Sequence, residues 1–171
     1  STRLNNVPVE WLTPDMADSR SVILYLHGGA WVLGWYQNHR AFAARLGRVS
    51  RCRVLAINYR LAPEHPFPAA LDDCLAVYRQ LVVDGFNPNK IIVAGDSAGA
   101  NLAIASLFTL RNNQEPLPAA AVCISPIMDL AFTGSSHFTK RDALLTTTFL
   151  QSMVQHYIGS NDPYSPMLSP L

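Results

Sequence analysis

Residues 90–110 read KIIVAGDSAGANLAIASLFTL, which is two apolar segments joined by a short turn. Residues 91–94 are apolar without alternation, which is typical of a strand that is covered on both faces of a parallel sheet. Residues 98–110 are apolar nearly all round, as expected of a buried helix. The turn between them is GDSAG at 95–99, so a single serine hydroxyl stands where a strand becomes a helix.

The alternation of strands and helices extends along the chain in both directions. In the helix predicted at 38–51, we expect Phe42, Leu46 and Val49 to share one apolar face. Alternating elements imply βαβ units, so the sequence predicts one α/β domain over residues 1–171, with a mostly parallel sheet and helices on both faces. The predicted strands lie at 7–11, 21–29, 52–60, 90–95 and 119–126, and the predicted helices at 38–51, 71–82, 97–112 and 149–158.

The composition argues against several classes of function. The 171 residues carry 13 Lys and Arg against 12 Asp and Glu, so neither nucleic acid nor an anionic membrane is an expected partner. No apolar run reaches the roughly 18 residues of a membrane span. Cys52, Cys74 and Cys123 are odd in number and match no metal-ligand spacing. We therefore expect packed thiols, no metal site and a reducing, cytoplasmic compartment.

Ser97 is the candidate nucleophile. A serine hydroxyl attacks a carbonyl only if a base takes its proton and its oxygen stands clear of the backbone. In a Gly-x-Ser-x-Gly turn between a buried strand and a helix, a strained backbone lifts the hydroxyl above the sheet. The amide groups at the helix N-terminus also favour developing negative charge. The pattern alone is short, but here both flanking elements are predicted.

HGGAW at 27–31 is a second candidate motif, because it ends an earlier predicted strand. The backbone amides of a glycine-rich loop can approach a ligand closely, and an oxyanion needs such donors at about 3 Å. An ordinary glycine turn would have the same composition. The presence of Ser97 in its own turn favours an oxyanion hole here.

Four segments resemble the hormone-sensitive-lipase-like branch of the α/β-hydrolases, which includes bacterial carboxylesterases and arylacetamide deacetylases. The resemblance implies the α/β-hydrolase fold, with Ser97 as nucleophile. It also implies an oxyanion hole at Gly28, Gly29, Ala30 and Ala98, in which Gly28 shapes the loop and the other three donate their amides. Ala30 stands where the family usually has glycine, so a positive φ would be costly there. The segments are YLHGGAWVLG at 25–34, NYRLAPEHPFPAALDD at 58–73, GDSAGANLA at 95–103 and ISPIMDL at 124–130.

Other polar and aromatic residues near the two motifs are expected to support the site. The resemblance implies that His27 shapes the loop and is not the base. Asp96 lies on a sharp turn beside the nucleophile, so we expect a structural hydrogen bond from its side chain. Trp31 and Met128 are candidates for an apolar substrate pocket. A charge set that braces a loop is predicted from Arg60, Asp72 and Asp73.

The triad template requires an acid and then a histidine after the serine. The resemblance places both beyond residue 171, so we expect a fragment that is truncated at both ends and lacks the last strands and most of the cap. An internal set of Ser97, Asp129 and either His137 or His156 also satisfies the order, although a packed histidine is expected on the last helix. With the later strands absent, the strand at 119–126 becomes a sheet edge, which predicts self-association or a complementing C-terminal segment.

The predicted function is a serine carboxylic ester hydrolase that acts on short-chain acyl or small aryl esters through an acyl-enzyme on Ser97, without a cofactor. The 171 residues alone are expected to show little or no turnover. Two alternatives remain. The first alternative is a small-molecule-binding receptor, because plant gibberellin receptors resemble this family and lack the triad histidine. The second alternative is an amidase or peptidase that uses the same turn.

Overall fold

A computed structural model describes residues 2–139 and 145–170. At its centre lies a six-stranded sheet in the order β1-β2-β4-β3-β5-β6. The strands β4, β3, β5 and β6 run parallel, whereas β1 and β2 form an antiparallel edge. The predicted mostly parallel sheet is therefore confirmed. The strands are β1 (Thr2–Leu4), β2 (Val7–Leu12), β3 (Asp18–Leu26), β4 (Cys52–Ile57), β5 (Ile91–Asp96) and β6 (Ala120–Ile124).

Helices cover both faces of this sheet, as predicted. One face packs against α1, and the other packs against α2, α3 and α5. Two short elements, β1 and α4, were not predicted because a strand of three residues and a single helical turn carry no periodic signal. The helices are α1 (Gln37–Ser50), α2 (Ala69–Val83), α3 (Ala98–Asn112), α4 (Ser136–Thr139) and α5 (Thr147–Ile158), with a 3-10 turn at Pro88–Lys90.

The unbroken apolar run of β3 is explained by burial on both faces. Val22, Leu24 and Leu26 point towards α2 and α3 and belong to the larger core. Ile23 and Tyr25 point the other way, into the core under α1. Successive residues of a strand alternate between faces, so each of these side chains needs to be apolar or to bury its polar atom with a partner.

The buried face of α1 differs from the predicted one. Phe42 is 41% exposed and Val49 is 77% exposed, whereas Ala43 and Gly47 are buried. A Cβ on Gly47 would lie 2.9 Å from a valine side chain of β4, so the helix backbone sits directly on the strand. Small residues make this close approach possible, and the larger apolar side chains are displaced to the flanks of the helix. The prediction for Phe42 and Val49 was wrong.

The three cysteines are free thiols, with Cys74 buried and Cys52 and Cys123 half-buried. In the ranges 2–139 and 145–170, no helix is long and apolar enough to cross a lipid bilayer. Over the same ranges, no three His, Cys, Asp or Glu side chains are grouped so that they could hold a metal ion.

β6 is an edge strand, as predicted. It pairs with β5 on one side, and no strand of the described part of the chain pairs with its other side. Its residues are half-buried or exposed, and Val122 is 43% exposed. An edge of this kind offers unpaired N–H and C=O groups to another strand.

Candidate active site

Ser97 occupies a strained turn between β5 and α3. Its backbone angles are φ 52° and ψ −117°, a region in which an L-residue pays a strain energy of about 1–3 kcal/mol. The turn is fixed on both sides. The Ser97 N–H donates to the Ile124 carbonyl at 2.9 Å, and the Ser97 carbonyl accepts from the N–H groups of Ala100 and Asn101 at 3.1 and 3.2 Å. The end of β6 and the first turn of α3 therefore hold the serine in this conformation.

Gly99 brings this turn against the end of β3. A Cβ at Gly99 would stand 2.5 Å from the carbonyl carbon of Leu26 and 2.6 Å from the carbonyl oxygen of His27. Only a glycine allows such an approach, so the N-terminus of α3 rests on the backbone where the HGGAW loop begins. The register of the sheet agrees, because Leu26 of β3 pairs with Gly95 of β5. The structure thus places the two predicted motifs side by side.

Asp96 joins the two motifs by a direct hydrogen bond. The Gly28 N–H donates to Asp96 Oδ1 at 3.0 Å, and the Tyr25 hydroxyl donates to the same oxygen at 2.5 Å. The other carboxylate oxygen occupies the space that a Cβ on Gly28 would need. The Gly28 amide is therefore engaged, and Gly28 shapes the loop without being a free oxyanion donor. This contact agrees with the loop-shaping role that the resemblance implies for Gly28.

His27 is buried and holds the loop from its other side. Its Nδ1 lies 2.6 Å from the Gly28 carbonyl oxygen. A carbonyl oxygen only accepts, so Nδ1 carries the proton. The ring stacks on Tyr59 with a centroid distance of 4.3 Å, and burial lowers the pKa of His27 to about 4. The neutral, packed ring agrees with the loop-shaping role that the resemblance implies.

Three backbone amides remain available beside Ser97. The N–H groups of Gly29, Ala30 and Ala98 donate no hydrogen bond to any residue that the structure describes. The Gly29 carbonyl accepts from the N–H groups of Val32 and Leu33 at 3.1 and 2.8 Å, which fixes the loop. Ala30 has φ 51°, so it adopts the left-handed conformation that the family's usual glycine would adopt at lower cost.

Trp31 does not line a substrate pocket, so that prediction was wrong. The side chain is fully buried and stacks on Tyr157 of α5 at a centroid distance of 4.4 Å. Burying two large aromatic rings together stabilises the core. Met128 is half-buried in the loop that follows β6 and remains a candidate. This loop is held by Asn101 of α3, whose side-chain amide donates to the Ile127 carbonyl at 2.9 Å.

Within the described part of the chain, neither Asp129 nor His156 makes a hydrogen bond to the Ser97 hydroxyl. One carboxylate oxygen of Asp129 accepts from the N–H groups of Thr133 and Gly134, so it holds a turn. His156 is exposed on α5, contrary to the packed position that we expected. The side chain of His137 lies outside the described part of the structure. Within that part, no side chain makes a hydrogen bond to the Ser97 hydroxyl.

Two of the three charged residues predicted to brace a loop form an ion pair, and two residues that were not predicted also contact the site. Arg60 forms an ion pair of 2.7 Å with the nearly buried Asp73, whose carboxylate also accepts the Arg60 N–H. Asp72 is exposed and makes no ion pair in the described residues. Sequence reasoning missed Tyr25, because it lies inside an apolar run, and Asn101, because nothing in a helical pattern indicates its contacts.

Residues 23–171 match the model of the alpha/beta hydrolase fold family. The chain belongs to this family. The predicted fold is therefore confirmed, and so is the resemblance to the hormone-sensitive-lipase-like branch. Among solved structures, an esterase from the bacterial hormone-sensitive lipase family superposes with a TM-score of 0.94 at 43% identity, over 98% of this chain and 57% of that one.

Two bacterial proteins are among the relatives of this chain. An acetyl-hydrolase of Streptomyces hygroscopicus is 49% identical over 163 residues, which cover 94% of this chain and 54% of that protein. An esterase of Acinetobacter venetianus is 40% identical over 158 residues, or 91% of this chain and 52% of that protein. The chain spans about half the length of the curated relatives that it matches.

Proposed function

We propose that the protein carrying this chain is a serine carboxylic ester hydrolase with Ser97 as its nucleophile. One observation carries the proposal. The strained Ser97 turn is held against the loop at 27–30, in which the Gly28 N–H is bonded to Asp96. The Gly29 and Ala30 amides of this loop have no partner in the described residues. The names of the esterase and acetyl-hydrolase relatives support ester chemistry.

The proposed reaction follows from this arrangement. A general base takes the Ser97 proton, and the serine oxygen attacks the ester carbonyl to give a tetrahedral intermediate. The negative oxygen accepts hydrogen bonds from the amides of Gly29, Ala30 and Ala98, each worth about 2.7–4 kcal/mol in the transition state. The alcohol leaves, and water then hydrolyses the acyl-enzyme by the same steps in reverse. These steps require no cofactor.

The general base and its carboxylate partner are proposed groups, and we do not assign them to any described residue. No described side chain makes a hydrogen bond to the Ser97 hydroxyl, so we place both groups elsewhere in the full polypeptide. Because this chain spans about half the length of its relatives, a polypeptide of their length has room for them. The 171 residues alone should turn over esters only weakly, since the oxyanion hole and binding then act without a base.

We propose short-chain acyl or small aryl esters as the substrate class. The acetyl-hydrolase relative supports a small acyl group. The half-buried Met128, in the loop tied to α3, is the candidate for contacting that group. A cytoplasmic location also stays part of the proposal, supported by the three cysteines that form no disulfide in the described residues.

The free edge of β6 is the basis for a proposed partner. We propose that a further strand completes this edge, supplied either by the rest of the polypeptide or by a second copy of the chain. The half-exposed side chains of β6 on both faces support this, since strands inside the sheet are buried.

The test is ester hydrolysis by the full-length protein, measured with p-nitrophenyl acetate. Ser97→Ala should lower kcat/KM by at least about 10³-fold. Ser106→Ala is the matched control, because Ser106 is a buried serine of α3 whose hydroxyl bonds to the Leu102 carbonyl. The control should retain wild-type turnover. Turnover that survives Ser97→Ala would contradict the proposal.

Two further measurements distinguish the alternatives. A fluorophosphonate probe followed by mass spectrometry should modify the peptide that carries Ser97. Comparing an ester with the matched anilide should show faster ester cleavage, whereas preferred anilide cleavage would indicate an amidase. Tight binding of a small molecule without labelling or turnover would indicate a receptor.

A further inference from the structure

Both polar groups of the Gly28 backbone are bonded to side chains. Its N–H donates to Asp96 Oδ1 at 3.0 Å, and its carbonyl accepts from His27 Nδ1 at 2.6 Å. The Gly28 carbonyl and the Gly29 N–H belong to the same rigid peptide plane. The side chains that hold Gly28 therefore also set the direction of the first free donor of the proposed oxyanion hole.

Tyr25 fixes the Asp96 carboxylate in turn. Its hydroxyl donates to Asp96 Oδ1, the oxygen that also accepts the Gly28 N–H. Tyr25 is 1% exposed on β3, and its ring packs against Trp35 and Phe42. Burial and the neighbouring Asp96 raise the pKa of Tyr25, so its hydroxyl stays a donor. The ring contacts leave the hydroxyl little freedom to turn away from the carboxylate.

We infer that Tyr25 and Asp96 form a positioning pair that aims the Gly29 and Ala30 amides at the oxyanion of the tetrahedral intermediate formed on Ser97. Asp96 is suited to this because it immediately precedes the nucleophile and contacts the loop that supplies the donors. Neither side chain touches the reacting atoms, so both act through the loop. The inference rests on the proposed ester hydrolase function and adds two residues to its machinery.

The expected signature is kinetic. An amide that points slightly away from the oxyanion loses its bond in the transition state, when the charge is largest, but changes substrate binding little. Loss of the pair should therefore lower kcat and leave KM nearly unchanged. A merely structural role would instead lower thermal stability without this split.

Tyr25→Phe in the full-length protein is the first test, with p-nitrophenyl acetate as substrate. We expect kcat to fall about tenfold with KM within about twofold of wild type. Binding of a small alkyl boronic acid, which forms a tetrahedral adduct on a nucleophilic serine, should weaken about tenfold. Tyr78→Phe is the matched control, because it removes another part-buried tyrosine hydroxyl that bonds to the Pro116 carbonyl. Its kcat should equal that of wild type.

Substitutions at Asp96 supply an independent test. Asp96→Asn keeps one oxygen that can accept from Gly28 and Tyr25, so it should retain more turnover than Asp96→Ala. Because the two residues act through one contact, Tyr25→Phe combined with Asp96→Ala should be no slower than Asp96→Ala alone. If the losses of kcat in the two single variants multiply in the double variant, the two residues act independently and the inference is overturned.

The outcomes separate this inference from the proposed function. If wild-type turnover is abolished by Ser97→Ala but kcat is unchanged in Tyr25→Phe, the hydrolase function stands and the positioning pair is refuted. The positioning pair is also refuted if Tyr25→Phe and Tyr78→Phe lose kcat equally and the loss follows the fall in melting temperature. If ester turnover survives Ser97→Ala, the proposed function fails and the inference fails with it.

Discussion

The loop at residues 27–30 and the edge of β6 both leave backbone groups without partners in the described residues, but for opposite reasons. In the loop, the unpaired amides of Gly29 and Ala30 follow Gly28, whose N–H and carbonyl are both bonded, and they lie beside a strained serine. Along β6, a whole row of groups is unpaired and the side chains are half-exposed. Isolated free donors in a fixed surrounding suit a ligand, whereas a free row suits another strand.

The difference can be tested by disturbing each region and asking what is lost. Changes at the junction of α3 and β3 should affect turnover strongly, because they move the donors relative to Ser97. Changes at the edge of β6 should affect association and leave the chemistry intact.

Among the changes that compare these two regions, Gly99→Ala should have the largest effect. The new Cβ would collide with the Leu26 and His27 carbonyl groups, so α3 must withdraw from β3 and carry Ser97 away from the loop. We expect kcat/KM of the full-length protein to fall about 100-fold. The free energy of unfolding should fall by about 3 kcal/mol, measured by urea denaturation.

Gly85→Ala is the control for this change. Gly85 has φ +90° but open space around its Cβ position, so it should cost about 1–2 kcal/mol in backbone strain and leave turnover unchanged. Wild-type kcat/KM in Gly99→Ala would show that the close approach does not set the site.

Stability should fall as the pH is lowered through the range in which His27 titrates. Burial, with a smaller contribution from His39, lowers the pKa of His27 to about 4, from 6.5 in the unfolded chain, while the Gly28 carbonyl and Asp96 act in the opposite direction. The unfolded state therefore binds this proton first. The stabilisation is complete above pH 6.5 and is lost as the pH falls towards 4, by about 3 kcal/mol.

The measurement is urea denaturation at pH 7, 5.5 and 4.5 for wild type, His27→Asn and His156→Asn. Carboxylates titrate in all three proteins, so the difference between them isolates the histidine. The pH dependence should be flatter in His27→Asn, whereas the exposed His156 makes its substitution a control that follows wild type. Identical pH profiles for all three would refute the buried neutral state.

Val122→Lys should have the smallest effect on folding. A lysine on an edge strand hinders pairing with another strand, so the isolated 171-residue chain should shift towards monomer in sedimentation velocity. Its free energy of unfolding should change by less than about 1 kcal/mol. Val83→Lys, at an exposed position of α2, is the matched control. If the unmodified chain is already a monomer with cooperative unfolding, the β6 edge needs no partner.

Much of the fold could be predicted, because burial on both faces requires unbroken apolar runs in β3, β4 and β5. The buried face of α1 could not be predicted. Helical periodicity points to Phe42 and Val49, but contact with β4 is made through Gly47, where the absence of a side chain is the decisive feature. A pattern of apolar residues gives no sign of a contact that the backbone makes.

The candidate site divides in the same way. The adjacency of the Ser97 turn and the loop at 27–30 could be predicted, because each is a local motif at the end of a predicted strand. The bond between Tyr25 and Asp96 could not, since 71 positions separate them and Tyr25 looks like one more apolar residue of a buried strand. Trp31 was misplaced because an aromatic residue after glycines fits a pocket and a core equally well, and only its contact with Tyr157 decides.

The most direct test of the central claim is a crystal structure of the full-length protein after reaction with a small phosphonate. The account predicts a bond from Ser97 Oγ to phosphorus and a phosphonyl oxygen at about 3 Å from the amide nitrogens of Gly29, Ala30 and Ala98. The Gly28 amide should remain on Asp96. A phosphonyl oxygen that points away from this loop, or a label on another residue, would contradict it.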